Sequence, residues 1–380
     1  MRRRGIAADP PAPAEFESVF HVREVRRDGD TVRYIGDPLV PPDAVERQVA
    51  RLFRTCGYEV SLTRPSGPAR GYVLVAEPPS TGHDGVPWTN IVLLLATIAS
   101  TLYVGASWYH IPLDEEPLRV LEAWPFTVAM LGVLGIHELG HYALGRYHGV
   151  DTTLPYFIPF PSLIGTMGAV INIRGQIPDR RALFDIGVAG PIAGLVATIV
   201  VTVVGLLMDP ITVPERLASG DAGYVIEFHN PLLLTILVEL TGQPASYPSP
   251  TRMVNPVVFA GWAGMFFTFL NLLPVGQLDG GHIVRAVLGD RQRTVAAAVP
   301  GALFALAGYI YVTHEAAVGI GTWALWAFWG VFALGLAYAG PATPAIDDDR
   351  IGPRRRWLGA VTFLFGILCF TPIPFEVMPA

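Results

Sequence analysis

Hydrophobic and polar positions fall into two patterns along the chain. From Thr89 onward the apolar residues come in long runs, near 90–109, 120–147, 183–208, 252–274, 292–313, 319–340 and 357–373. About twenty residues of helix cross a bilayer, so these runs predict seven transmembrane helices within a membrane-embedded region spanning 89–380. Residues 18–78 alternate instead. F-H-V-R-E-V, the turn R-R-D-G-D and T-V-R-Y-I read as a hairpin. A helix N-capped by Asp43 and closed by Gly57 follows, then the strands Y-E-V-S-L-T and G-Y-V-L-V-A. This β-β-α-β-β order predicts a small soluble α+β domain without chemistry of its own, a unit that binds a regulator or substrate. Residues 1–17, rich in Arg, Ala and Pro, are expected to be disordered, and the Pro- and Gly-rich stretch 79–88 to be a linker.

Three segments break the membrane pattern. Leu154 to Arg174 is apolar but too rich in Pro and Gly for a regular helix. It reads as a re-entrant loop or hairpin whose strand edge can pair with an extended peptide, or alternatively as an amphipathic surface loop. A-G-P-I-A-G, Ala189 to Gly194, reads as a small-residue face for close helix packing. P-L-L-L-T-I-L-V-E-L, Pro231 to Leu240, is too short to span and reads as interfacial or re-entrant.

At 51% hydrophobic and 15% charged, the chain is too apolar for a soluble globule. A net charge of -6 leaves no basic footprint, which excludes nucleic acid as a partner. All 26 basic residues are Arg, and they concentrate in the N-terminal domain, Arg174–Arg181, Arg285–Arg293 and 354–356. These segments share one side if the N-terminus is cytoplasmic, as the positive-inside rule requires. Ala and Pro, not an apolar core, follow M-R-R-R, so no cleavable signal is expected. The expected host is a prokaryotic cell membrane. With two cysteines, Cys56 and Cys369, in separate segments, neither a disulfide framework nor a C-x-x-C site is available.

The chemistry sits in the second run. Ile136 to Gly145 reads I-H-E-L-G-H-Y-A-L-G, placing His137 and His141 one helical turn apart on one face, the spacing that lets two imidazoles hold one zinc ion. Glu138 lies about 100° round the helix, where its carboxylate reaches a metal-bound water rather than the metal. In a soluble helix these residues are an ordinary polar face. Inside a membrane span each ionisable group costs about 3 kcal/mol, so the cluster reads as functional.

The fourth run ends N-L-L-P-V-G-Q-L-D-G-G-H. Pro274 breaks the helix, and Gly276, Gly280 and Gly281 permit an irregular backbone that turns side chains inward. Asp279 is the candidate third ligand, His282 competes with it, and an N-cap role for Asp279 remains the structural alternative. The second run enters from outside and puts His137 about 14 Å from Arg146 at its inner end. Two crossings later the fourth run also ends inside, so both motifs share a side and a depth.

With both halves in hand, the sequence resembles the site-2 protease family of intramembrane zinc metalloproteases. The resemblance rests on H-E-L-G-H at 137–141 and N-L-L-P-V-G-Q-L-D-G-G at 271–281, supported by G-T-M-G-A-V-I-N at 165–172 and A-G-P-I-A-G. It implies one Zn2+ on His137, His141 and Asp279, with Glu138 as general base and Asn271 and Asn172 as contacts for the substrate backbone or the oxyanion. It further implies a single-span membrane protein as substrate. The longest external loop, about 209–251, leaves no room for an inserted PDZ-like domain, so the likeness is to the branches with extra helices and an N-terminal soluble unit.

Two other classes stand beside this one. A metal- or proton-coupled transporter would use the intramembrane His and Asp as a translocation path, and would be expected to have comparable halves, which the sequence lacks. A catalytically silent membrane adaptor would hold no zinc.

Overall fold

A computed structural model describes residues 9–63, 71–78, 86–173, 177–215, 224–314, 321–340 and 350–379. Residues 1–8 of the expected disordered segment, 79–85 of the expected linker and Arg174 lie outside them.

The N-terminal domain has strands β1 (Phe20–Asp28), β2 (Thr31–Pro38), β3 (Glu59–Thr63) and β4 (Tyr72–Glu77), with helix α1 (Pro42–Thr55) between β2 and β3. The antiparallel sheet has the order β1-β2-β4-β3. Alternate residues of each strand, such as Val32, Tyr34, Val60 and Leu74, meet Val45, Val49 and Phe53 of α1 in one core. Gly29 turns the β1–β2 hairpin at φ +61° and Gly57 closes α1 at φ +81°. The helix begins at Pro42, one residue before the expected cap Asp43, because proline suits the first helical position, where no N–H is needed. Part of the segment expected to be disordered is tied down. Phe16 is buried against Tyr34 and Phe53, and the Pro11 carbonyl accepts the Tyr34 hydroxyl.

The remainder is built mainly on helices: α2 (Trp88–Trp108), α3 (Trp124–Tyr147), α4 (Arg180–Leu207), α5 (Leu232–Thr241), α6 (Pro256–Asn271), α7 (Asp279–Leu288), α8 (Gln292–His314), α9 (Gly321–Ala339) and α10 (Pro353–Leu368). A helix stands at each of the seven expected spans. Among the described residues, five segments are long and apolar enough to cross a membrane by length and composition: Trp88–Trp108, Pro117–Tyr147, Arg180–Leu207, Asp279–Thr313 and Thr322–Ala339. Helices α6 and α10 have 16 residues each, about 24 Å, short of a 30 Å hydrocarbon core. Pro256 starts α6 with Asn255 as its cap, and the turn that contains Pro274 ends it.

Leu154 to Arg174 resolves into strands β5 (Tyr156–Pro159) and β6 (Thr166–Val170), paired antiparallel. Helix α2 holds this hairpin at three levels. Asn90 Nδ2 donates to the Leu154 and Pro155 carbonyls, Ser100 Oγ to the Gly165 carbonyl at 2.6 Å, and Trp108 Nε1 to the Leu163 carbonyl. Backbone groups without a strand partner are thus satisfied inside the protein, as apolar surroundings demand.

Helices α3, α4 and α6 form the centre of the bundle, and two polar clamps fix it at one end. Arg180 of α4, almost fully buried, donates from Nε to the Ala286 carbonyl and from Nη2 to the Arg285 carbonyl, capping the last turn of α7. Asp185 of α4 accepts two bonds of 2.8 Å from Arg355 at the start of α10, and its Oδ2 lies 3.1 Å from His148 Nε2, just past α3. Arg355→Met leaves a mostly buried carboxylate with one partner fewer. The guanidinium side chain is 37% exposed, which moderates the cost to about 1–2 kcal/mol. The expected result is a lower thermal midpoint for the detergent-purified protein.

Candidate metal centre

His137 and His141 lie on α3 facing α4, and the two helices approach closely because glycines clear the way. A Cβ on Gly190 would overlap the His141 ring, and one on Gly194 would sit 2.8 Å from His137 Nδ1. Gly190 and Gly194 carry the same four-residue spacing as the two histidines, read in the opposite direction. Gly140 makes the reciprocal approach, with a Cβ there 2.7 Å from the Ala189 carbonyl oxygen. The A-G-P-I-A-G stripe is therefore a packing face, as its composition predicts, and its packing partners are the imidazoles.

His141 Nδ1 donates to the Ile186 carbonyl at 2.8 Å, which turns Nε2 inward and leaves its lone pair for a ligand. His137 Nε2 lies 3.2 Å from His141 Nε2 and 3.1 Å from Asp279 Oδ2, while Asp279 Oδ1 lies 3.1 Å from His141 Nε2. One ligand atom from each of the three falls within 4.8 Å of the other two, and among the described residues no other His, Cys, Asp or Glu group does the same. Two imidazole nitrogens and a carboxylate, all nearly buried, are a donor set that zinc accepts with a fourth position left over. Cys56 and Cys369 are both unpaired and outside this set.

Asp279 reaches the histidines because α6 stops at Asn271 and the chain reverses before α7. The reversal needs glycines. Gly276 has φ +54°, and a Cβ on Gly280 or Gly281 would strike the Leu272 or Gly276 carbonyl oxygen. Asp279 is the first residue of α7, the N-cap position is Leu278, and the cap is made without a side-chain hydrogen bond. Its carboxylate turns to the histidines, which removes the capping alternative.

The cluster opens on a cavity of about 200 Å³. Glu138 is buried in its wall, and the backbone of Ile171 approaches its carboxylate. Asn271 lines the cavity with Nδ2 3.4 Å from His137 Nε2. His282 lines it as well, outside the ligand set. Asn172 is not brought there. Ile171 and Ile173 face the cavity while Asn172 between them is exposed, the two-residue alternation of extended chain. Its backbone is held by Thr153, whose N–H and Oγ1 bond its C=O and N–H. The cavity wall here is Ala169, Val170, Ile171 and Ile173. Sequence reasoning also missed the glycine clearance at 187, 190 and 194, for which the matched spacing was the available signal.

Fold and site together define a helical membrane protein built round a two-histidine, one-carboxylate metal centre. Residues 125–310 match Peptidase family M50, and the chain carries a domain of that family. Among named relatives, the chain is similar to the probable zinc metalloprotease EGY1, chloroplastic, of Arabidopsis thaliana, 30% identical over 74% of this chain and 52% of that protein. It is also similar to the probable zinc metallopeptidase EGY3, chloroplastic, of the same plant, 25% identical over 92% of this chain and 62% of that protein. A rice protein, the probable zinc metalloprotease EGY2, chloroplastic (Oryza sativa subsp. japonica), is 28% identical over 65% of this chain and 42% of that protein. The chain thus spans about half the length of the curated relatives it matches. No solved structure matches it. The family match lends no support to a transporter.

Proposed function

We propose that this chain is an intramembrane zinc metalloprotease that hydrolyses peptide bonds within or near the transmembrane segment of a single-span membrane protein. The observation that carries the reading is the convergence of His137, His141 and Asp279 beside Glu138, among helices apolar enough to cross a bilayer. His137, His141 and Asp279 would hold one zinc ion, which would supply Lewis acidity for peptide-bond hydrolysis. Glu138 accepts the proton of the attacking water and delivers it to the leaving amine. Asn271 Nδ2–H donates to the developing oxyanion. The outer edge of β6 pairs with the substrate after it unwinds, since a helical carbonyl is occupied by its own hydrogen bonds.

On this reading all seven apolar helices cross the membrane, α6 as the short central one shielded by its neighbours. The N-terminal domain lies on the cytoplasmic side with the arginine-rich loops and binds a regulator or the substrate, and the cavity opens to that side. The chloroplastic relatives give no support to a prokaryotic host.

The test is incubation of the detergent-purified protein with single-span substrates, with and without a chelator, mapping product ends by mass spectrometry. The expected result is new termini within or beside the substrate's apolar segment, abolished by chelation and restored by zinc. Chelator-insensitive cuts, or zinc-loaded protein that makes none, would overturn the reading.

A further inference from the structure

Of the residues that line the metal cavity, two are exposed: Val170 at the end of β6 and Gln277 in the turn between α6 and α7. They mark its mouth. Gln277 is presented on a backbone with little freedom. Val275, two residues before it, is fully buried, and its carbonyl accepts the Leu278 N–H at 3.2 Å. Gly276 is pressed against α9, where an added Cβ would lie 2.8 Å from the Leu336 Cβ. The His282 ring faces the Gln277 backbone from the first turn of α7. The carboxamide beyond that fixed backbone is unspent, since among the described residues it makes no hydrogen bond. It offers an acceptor oxygen and an NH₂ donor at the entrance to the metal.

An extended peptide carries N–H and C=O groups along both of its edges. Among the described residues the β5–β6 sheet has two strands, so β6 has one free edge, and that edge takes up one side of a bound peptide. The groups on the peptide's other side lose their water as it fills the cavity, and left unpaired they would weaken binding. We infer that Gln277 is a further substrate-binding residue, whose carboxamide hydrogen-bonds the substrate backbone along the edge that β6 does not reach. The inference rests on the proteolytic reading above. The substrate strand is then held from two sides, by β6 and by the α6–α7 turn, while Asn271 serves the reacting carbonyl. A contact to backbone is indifferent to the side chains it passes, so it suits apolar segments of different sequence. It is made equally before and during the reaction, so it acts on KM rather than kcat.

The experiment compares the parent, Gln277→Met and Glu138→Gln as full-length proteins in detergent, measuring zinc per chain, thermal midpoint, and kcat and KM. Two single-span substrates are used, one with leucine and one with serine beside the scissile bond. Methionine keeps the unbranched stem and removes the carboxamide. Gln277→Met should keep one zinc and the parent's midpoint, raise KM about 10–100-fold on both substrates alike, and leave kcat within threefold. A smaller rise in KM overturns the assignment, as does a loss carried by kcat alone. A loss confined to the serine substrate overturns it too, and makes Gln277 a reader of side chains. Loss of zinc or a lowered midpoint also overturns it, and makes the residue a prop of the turn. An active parent with an inactive Glu138→Gln keeps the proteolytic reading standing through any of these results, whereas a zinc-loaded parent that cuts neither substrate removes that reading and this one together.

Discussion

The Glu138→Gln protein binds one zinc per chain and loses about 10²–10⁴-fold in kcat. The two halves of this result have separate causes. Zinc is retained because the donor atoms belong to His137, His141 and Asp279, and the substitution leaves all three in place. Glutamine has the same shape and buries the same stem, so α3 packs as before. Rate is lost because an amide cannot take a proton from the attacking water. Of the two carboxylates in the cavity wall, Glu138 is the one that stands apart from the ion-binding set. A substitution that removed zinc along with activity would place Glu138 among the ligands, and one that left activity unchanged would remove its role. Metal analysis and single-turnover cleavage on one preparation read both quantities.

Gly190→Ala is expected to abolish activity and zinc binding through one methyl group. The new Cβ would occupy the space of the His141 imidazole. The ring cannot turn aside without surrendering the bond from Nδ1 to the Ile186 carbonyl. Helix α4 cannot move away as a whole, because Arg180 and Asp185 tie its first turns to α7 and α10. Overpacking of this kind costs about 1–3 kcal/mol in stability, and the loss at the site is larger because an imidazole displaced by even 1 Å leaves the metal's coordination shell. Gly132→Ala is the matched control. It lies on the same helix as the histidines, an added Cβ there meets nothing within 4 Å, and alanine stabilises a helix interior by up to about 1 kcal/mol. It should leave zinc and cleavage unchanged and raise the thermal midpoint slightly. Equal behaviour of the two alanine variants would show that the α3–α4 approach is not what holds the ring.

The reach of the sequence differs from residue to residue. His137, Glu138 and His141 are legible because a helix converts a spacing of four into one face, and apolar flanks make polar groups there expensive. Asp279 is legible as a candidate only. Its choice over His282 depends on where α7 starts, and that follows from the glycines at 276, 280 and 281, whose effect on direction is tertiary. The direction of Asn172 is not legible because a motif carries no phase: in extended chain the residue between two inward isoleucines points outward. The N-terminal domain's strand and helix order follows from alternation and turn residues. The packing of Phe16 and Pro11 onto Tyr34 does not, since a Pro-rich segment shows no period. Helix α6 reads as part of a longer apolar run, and only the cap at Asn255 and the turn after Asn271 cut it to 16 residues.

The claim beneath all of this is that His137 and His141 from one helix and Asp279 from another hold one zinc ion beside Glu138. X-ray absorption at the zinc edge of the purified protein tests it most directly. The account predicts one zinc per chain in a shell of nitrogen and oxygen only, with two imidazoles at about 2.0–2.1 Å and oxygen at about 2.0–2.2 Å. A sulfur neighbour at about 2.3 Å, or a spectrum without imidazole scattering, would contradict it.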